Sequence, residues 1–217
     1  METQRLLDAV AEAFAATGAG TASWPHPHPG GEGPLDEEYE RCLDPGKYRI
    51  LGARAEAWVQ ALTGLGLADV EEVADPSRTW RDDETGMELE RAVRLRPHEA
   101  AASPLLLGFA SLDGIPDAVI RIGAGDPAVA VGQGPACGCD ACDDGSESLL
   151  KEFDEDVLAV VTGDFLHVSS PNGTISASGS GWSATGDFAG RGDIDALLSE
   201  AREGRSRHRV VLGGPWW

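Results

Sequence analysis

Basic residues are scarce in this chain, and their scarcity excludes several classes of protein. Among 217 residues there are 17 Lys and Arg but 37 Asp and Glu, so the formal net charge is −20. A nucleic-acid-binding protein needs a basic surface against the phosphates, and anionic membranes repel a chain of this charge. We therefore expect neither nucleic acid nor a membrane as a partner. A basic protein is the partner that the charge favours, although acidity also simply keeps a protein soluble.

Long apolar runs are missing as well. No stretch approaches the roughly 18–20 apolar residues of a membrane-spanning helix, and residues 1–4 lack the basic start of a secretory signal. These absences predict a cytoplasmic protein with reduced thiols. The sequence also contains no P-loop, HExxH or GxSxG motif. Residues 123–128, GAGDPA, imitate a dinucleotide-binding loop, but a strand pattern follows them, so we expect a hairpin turn.

Cysteine is rare, yet three of the four cysteines lie within six residues. Cys137, Cys139 and Cys142 occupy the acidic, glycine-containing stretch CGCDACDDG. Three thiols this close are typical of a partial metal site, of a redox-sensitive cluster, or of a compact loop in which cysteine is a small apolar residue. The sequence therefore indicates either no cofactor or zinc, with these three residues as the candidate metal ligands.

A fourth zinc ligand cannot be assigned from spacing. Structural zinc usually has four Cys or His ligands arranged as two pairs, and a second pair is missing here. Cys42 is nearly a hundred residues away in a predicted helix, whereas Asp140 and Asp143 lie within or beside the cluster. The histidines have no diagnostic spacing; they are His26, His28, His98, His167 and His208.

Hydrophobic periodicity predicts helices first, then a meander of strands, then mixed elements. Helical spacing covers residues 3–16, 45–62, 146–161 and the region around 194–201, and a short acidic helix is expected over 35–42. Strand-length runs cover 70–73, 89–95, 105–112, 118–122, 128–131, 165–169, 175–184 and 207–212. This order indicates the α+β class, with an antiparallel sheet covered by helices. We expect a single domain over residues 1–217, with an N-terminal helical part to about residue 66 and a sheet and mixed part from about 67.

Three local patterns lead to further predictions. Asp144 and Glu147 match a capping box at the start of the third long helix. The acidic run at residues 152–156 is interpreted as the solvated face of that helix, which buries Phe153 and Val157. Two tryptophans end the chain, and we expect them to pack on the body of the protein, because exposed indoles are unfavourable.

The cysteine block also carries a resemblance. Cys137-Gly138-Cys139-Asp140-Ala141-Cys142-Asp143, followed by a helix with paired leucines, is similar to a block in an uncharacterised actinobacterial domain-of-unknown-function family. The segments Tyr39-x-Arg41 and Asp44-Pro45-x-Lys47-Tyr48 and the closing Gly-Pro-Trp are similar too, so the resemblance spans most of the chain. It implies that Cys42 stands where the family carries an ordinary apolar residue. That family has no assigned activity, so no catalytic residues follow from it.

Three functions remain open at this point. The first is a cytosolic accessory or interaction protein without a catalytic centre, in which the cysteine loop is structural or binds a metal. The second is an acidic immunity-type protein that binds a basic partner. The third is a thiol- or zinc-dependent enzyme centred on Cys137, Cys139 and Cys142. The absence of a complete catalytic constellation favours the first.

Overall fold

A computed structural model describes residues 3–30, 33–81, 87–179 and 181–217. Within these ranges the α-helices are α1 (Thr3–Thr17), α2 (Arg49–Gly64), α3 (Gly145–Val161) and α4 (Ile194–Arg202). The strands are β1 (Ala68–Glu72), β2 (Arg91–Pro97), β3 (Leu105–Leu112), β4 (Ile115–Gly125), β5 (Ala128–Gly134), β6 (Leu166–Ser170), β7 (Gly173–Ser178), β8 (Gly181–Ala184) and β9 (Arg209–Leu212). None of the helices in the described ranges is long and apolar enough to span a membrane.

The strands form two antiparallel sheets. The first is a meander in the order β1-β2-β3-β4-β5, and the second has the order β8-β7-β6-β9. The α+β class and the antiparallel meander are therefore confirmed, but the strands divide between two sheets where one was expected. The strands β6, β7 and β8 form a sheet of their own, and β9 joins it by pairing with β6.

One face of the first sheet is covered by helices. Side chains alternate between the two faces of a strand, and this alternation places Ile120 and Ile122 of β4 on the helix side. There they join α1, α2 and α3 in the main hydrophobic core, where Trp58 and Phe153 are also buried. At roughly 25 cal/mol per Å² of apolar area removed from water, this core supplies most of the driving force for folding.

The opposite face of the first sheet is covered by Trp80. Gly108 and Gly123 leave space for the indole, since a methyl group at either position would lie 2.6–3.3 Å from its ring atoms. The guanidinium of Arg121 lies 4.2 Å from the centroid of the same ring. This buried arginine faces the second sheet.

The second sheet packs one face on α4 and turns a polar face the other way. Its apolar face contributes Leu166, Val168, Ile175 and Ala177 to a second core with α4. Residues 175–184, predicted as one strand, instead belong to the hairpin β7–β8. That prediction was wrong in extent because a Ser/Gly-rich run shows no clear apolar alternation to mark a turn.

The chain returns to the main core at its C-terminus. Trp216 is buried, and its backbone N–H donates to the carbonyl of Val161 at the end of α3 over 3.0 Å. Trp217 is half-buried against the same core. The expectation that the two indoles pack on the body of the protein is confirmed.

Candidate metal centre

The three clustered cysteines lie in the connection between β5 and α3. A short 3₁₀ turn at Asp140–Cys142 bends this connection. The sulfur atoms of Cys137, Cys139 and Cys142 lie within 4.8 Å of one another, and those of Cys137 and Cys139 are 3.1 Å apart. In a tetrahedral zinc site with Zn–S bonds of about 2.3 Å, two sulfurs are about 3.8 Å apart. Shifts of less than an ångström therefore bring the three thiols to the geometry of a zinc site.

The three thiols differ in exposure and in acidity. Cys139 is buried, whereas Cys137 and Cys142 are exposed, and none forms a disulfide. A hydrogen bond from the Cys137 thiol and a second from Cys142 lower the pKa of Cys139. The neighbouring Cys139 sulfur and burial raise the pKa of Cys142 to about 11. Cys139 therefore ionises more readily than Cys142 and is the better metal ligand of the two at neutral pH.

Asp140 fixes the cysteine turn to the segment that precedes α2. Its backbone N–H donates to the carbonyl of Arg41 over 2.9 Å. Its carboxylate accepts from the backbone N–H of Leu43 at 3.1 Å and from Nε of Arg41 at 3.2 Å. The Asp140 carboxylate therefore holds the loop before α2 and does not belong to the sulfur group.

The Asp143 carboxylate accepts more hydrogen bonds than the Asp140 carboxylate does. Its carboxylate accepts from the indole N–H of Trp24 at 2.8 and 3.0 Å, from the ammonium of Lys47 at 2.5 Å and from the backbone N–H of Gly145 at 2.9 Å. Burial opposes its ionisation, but the hydrogen bonds from Lys47 and Trp24 outweigh burial and hold its pKa below the usual value. The candidate ligands Asp140 and Asp143 are therefore structural contacts of the loop.

The N-terminal loop passes over the start of α3 and completes this anchorage. The backbone N–H of Trp24 donates to the Ser146 hydroxyl, and the backbone N–H of Ser146 donates to the carbonyl of Trp24. Each of these hydrogen bonds is 3.0 Å long. The Lys47 ammonium also lies 5.5 Å from the Trp24 ring and 5.1 Å from the Tyr48 ring. The predicted capping box is absent, since Asp144 makes no side-chain cap and Asp143 accepts the Gly145 N–H instead.

No fourth protein ligand joins the sulfur group in the part of the chain that the structure describes. Cys42 lies outside this group, in a loop and not in the predicted helix. The His-Pro-His segment is occupied elsewhere: His26 lies 3.4 Å from Asp144, and His28 lies 3.2 Å from Glu38. Cys137 and Cys142 are exposed residues, so solvent or another molecule can reach the sulfur group.

A family model matches residues 10–217. The chain belongs to DUF6226, a family of unknown function. The resemblance to a domain of unknown function is thus confirmed, and the matched region contains the whole cysteine block. No curated protein and no solved structure matches the chain.

The sequence did not predict which side chains hold the cysteine turn. Lys47 and Trp24 are about a hundred or more positions from Asp143, and no spacing rule connects them. One signal was present: the Asp44-Pro45-x-Lys47-Tyr48 segment and the cysteine block both carry the DUF6226 resemblance. In the structure these two segments are in contact.

Proposed function

We propose that this protein is a non-enzymatic accessory or interaction protein whose cysteine loop binds a thiophilic metal ion, with zinc as the first choice. The observation that carries the proposal is the convergence of the Cys137, Cys139 and Cys142 sulfurs within 4.8 Å. Cys thiolates are the preferred protein ligands of zinc and of other soft ions. Reduced thiols require a reducing compartment, so the proposal includes a cytoplasmic location.

The surroundings of the loop support metal binding over nucleophilic catalysis. The thiol whose pKa is lowered, Cys139, owes this to the two neighbouring thiols and not to a histidine. A catalytic thiolate ordinarily works with an adjacent general base. Three thiolates with one open position instead accept water, or a side chain from another protein, as the fourth ligand.

Metal analysis of protein purified without chelators tests the proposal. We expect about one zinc per chain by mass spectrometry of the intact metal complex or by elemental analysis. The Cys139→Ser variant should lose the metal, and the matched control Cys42→Ser should retain it. Cobalt substitution adds an optical readout, since thiolate ligation gives charge-transfer absorption. Wild-type protein that stays metal-free after incubation with zinc would contradict the proposal, as would equal metal content in the two variants.

One exposed surface, in the segment before α2, favours a basic protein as the binding partner. Leu35, Tyr39 and Leu43 are 62%, 56% and 75% exposed, and all three lie in the segment before α2 that contacts the cysteine turn. Exposed acidic residues alternate with them: Asp36, Glu37, Glu40 and Asp44. Apolar side chains with an acidic border are suited to a basic protein surface.

This partner proposal, the immunity-type alternative, has its own test. Wild-type protein immobilised at moderate salt should retain basic proteins from a cell extract, and retention should fall at high salt. A Tyr39→Ala and Leu43→Ser double variant should lose these proteins, while an Arg5→Gln variant should keep them. Equal retention by wild type and by the double variant would count against the surface.

A further inference from the structure

A large cleft lies between the two sheets, well away from the cysteine loop. Its volume is about 950 Å³. Arg121 of β4 and the start of β5 line one side, while β6, β7 and the segment leading into β9 line the other. Cavities of roughly 300–1,000 Å³ are the usual size of small-molecule sites, and they form preferentially where two structural units meet.

The charge of this cleft is opposite to that of the molecule. The chain has 37 acidic residues and a net charge of −20. No acidic side chain is among the described residues that line the cleft. Its lining does include five arginines and histidines: Arg121, Arg207, Arg209, His167 and His208. A local excess of positive charge in an acidic protein is the electrostatic pattern of an anion site.

The register of the second sheet explains how its polar groups reach the cleft. Ser169 of β6 is paired with Thr174 of β7 and with Arg209 of β9, so these three side chains form one row on one face. Because the side chains of a strand alternate, His167 and Ser176 lie on that same face in the next row. The apolar residues between them face α4, which leaves this polar face directed into the cleft.

Arg207 and Arg209 form no ion pair with a carboxylate of the described residues, whereas most of the other basic residues do. Arg191 first, and then the charge of Arg207, lower the pKa of Asp193, so Arg207 lies within electrostatic reach of that carboxylate and Arg209 is the more available of the two. Both are exposed at the mouth of the cleft. Arg121 lies deeper, buried with its guanidinium against Trp80. The arrangement gives guanidinium groups at two depths of one cavity.

We propose that this cleft binds a small molecule that bears a phosphate group. A terminal phosphate has three strong acceptor oxygens, and guanidinium groups donate to such oxygens in pairs. Arg207, Arg209 and the neighbouring hydroxyls supply more donors than the two oxygens of a carboxylate accept. The cleft is also much larger than a phosphate ion, so a polar organic portion of the ligand fills the remainder beside the Ser and Thr hydroxyls.

Calorimetric titration with pyrophosphate as the probe tests this site. The experiment uses the full chain at about 0.15 M salt, which screens the repulsion between the acidic surface and the anion. Arg209→Gln removes one exposed guanidinium without touching a buried contact, and we expect it to weaken binding about ten-fold or more. Arg202→Gln is the matched control, because Arg202 is exposed on α4 and does not line the cleft. Its affinity should equal that of wild type.

Three results would overturn the proposal. The first is an absence of pyrophosphate binding by the wild-type chain. The second is an equal loss of affinity in the Arg209→Gln and Arg202→Gln variants, which indicates diffuse electrostatic attraction. The third is tighter binding of citrate than of pyrophosphate, which assigns the cleft to carboxylates. Since both variants leave the cysteines intact, none of these outcomes depends on whether the loop binds zinc.

Discussion

At the scale of single residues, Asp156 is a partly buried carboxyl group with a strongly raised pKa. It lies on α3 at a smaller cavity of about 290 Å³ that β5 and the β7–β8 hairpin also line. Burial first, and then the charges of Glu152 and Glu155, raise its pKa to about 6. Its carboxylate occupies the space that the missing side chain of Gly132 leaves on β5. The acidic run at residues 152–156 is therefore not uniformly solvated. Its interpretation as a solvated face was wrong for Asp156 and also for Asp154, whose carboxylate accepts hydrogen bonds from Arg54 and from the indole N–H of Trp58.

This pKa predicts how stability depends on pH. In the unfolded chain Asp156 titrates near 3.8, and in the folded protein near 6. Between these values the folded state holds the extra proton, so this group makes stability fall as pH rises from about 4 to about 6. Asp156→Asn should remove that slope and stabilise the protein at pH 7 by about 1 kcal/mol, after allowance for its partial exposure. Urea denaturation at pH 4.5 and pH 7 measures both effects.

Glu12→Gln serves as the control for this prediction. Glu12 is an exposed carboxylate on α1, away from the cavity that contains Asp156, and its replacement should change stability little. If the advantage of Asp156→Asn over wild type is the same at pH 4.5 as at pH 7, the raised pKa is refuted.

At the scale of elements, the start of α3 depends on one glycine. Gly145 has φ +85°, a conformation that L side chains rarely adopt, and a methyl group there would lie 2.6 Å from the backbone nitrogen of His26. The close passage of the N-terminal loop over α3 therefore requires glycine at this position.

Gly145→Ala should destabilise the protein by about 2 kcal/mol, because it combines backbone strain with a clash against a second segment. Chemical denaturation measures the loss, and hydrogen exchange should show it concentrated in residues 24–26 and 143–147. Gly64→Ala is the control: this position ends α2 with no heavy atom near a new methyl group, so the substitution should be neutral or slightly stabilising. Equal effects of the two substitutions would contradict this account of Gly145.

Sequence patterns predicted several helices and strands, but not how all of the strands pair. Strong apolar periodicity placed α1, α3 and β3 to within a residue or two of the observed bounds. The pairing of β9 with β6 was not predictable, because it depends on contacts about forty residues apart. For the candidate metal centre, the spacing of the cysteines predicted the sulfur group. Nothing local could show that Asp140 and Asp143 are committed to Arg41, Leu43, Trp24 and Lys47.

At the scale of the whole molecule, the C-terminal segment joins the two sheets. Val211 of β9 and Trp216 both belong to the main core, although β9 is an edge strand of the second sheet. A cluster that draws side chains from both sheets couples their unfolding. We propose on this basis that the chain unfolds as one cooperative unit, consistent with the expectation of a single domain.

Trp216→Ala tests this coupling. Loss of a buried indole should cost about 3–5 kcal/mol, and thermal unfolding should remain a single transition at a lower Tm. Trp182→Ala is the matched control, since that indole is 51% exposed on β8 and its removal should change Tm far less. Two separate transitions in wild-type protein, with only one shifted by Trp216→Ala, would show that the sheets unfold independently.

The hydrogen bonds between Trp24 and Ser146 have a consequence for the order of folding. They join positions 122 apart in the chain, and Asp143, the other partner of Trp24, is 119 positions away. During synthesis, the hydrogen-bond partners of Trp24 therefore emerge only when about two thirds of the protein has left the ribosome. Helices α1 and α2 can pair earlier, but the N-terminal loop closes only once α3 has emerged, so its closure belongs among the late events of folding.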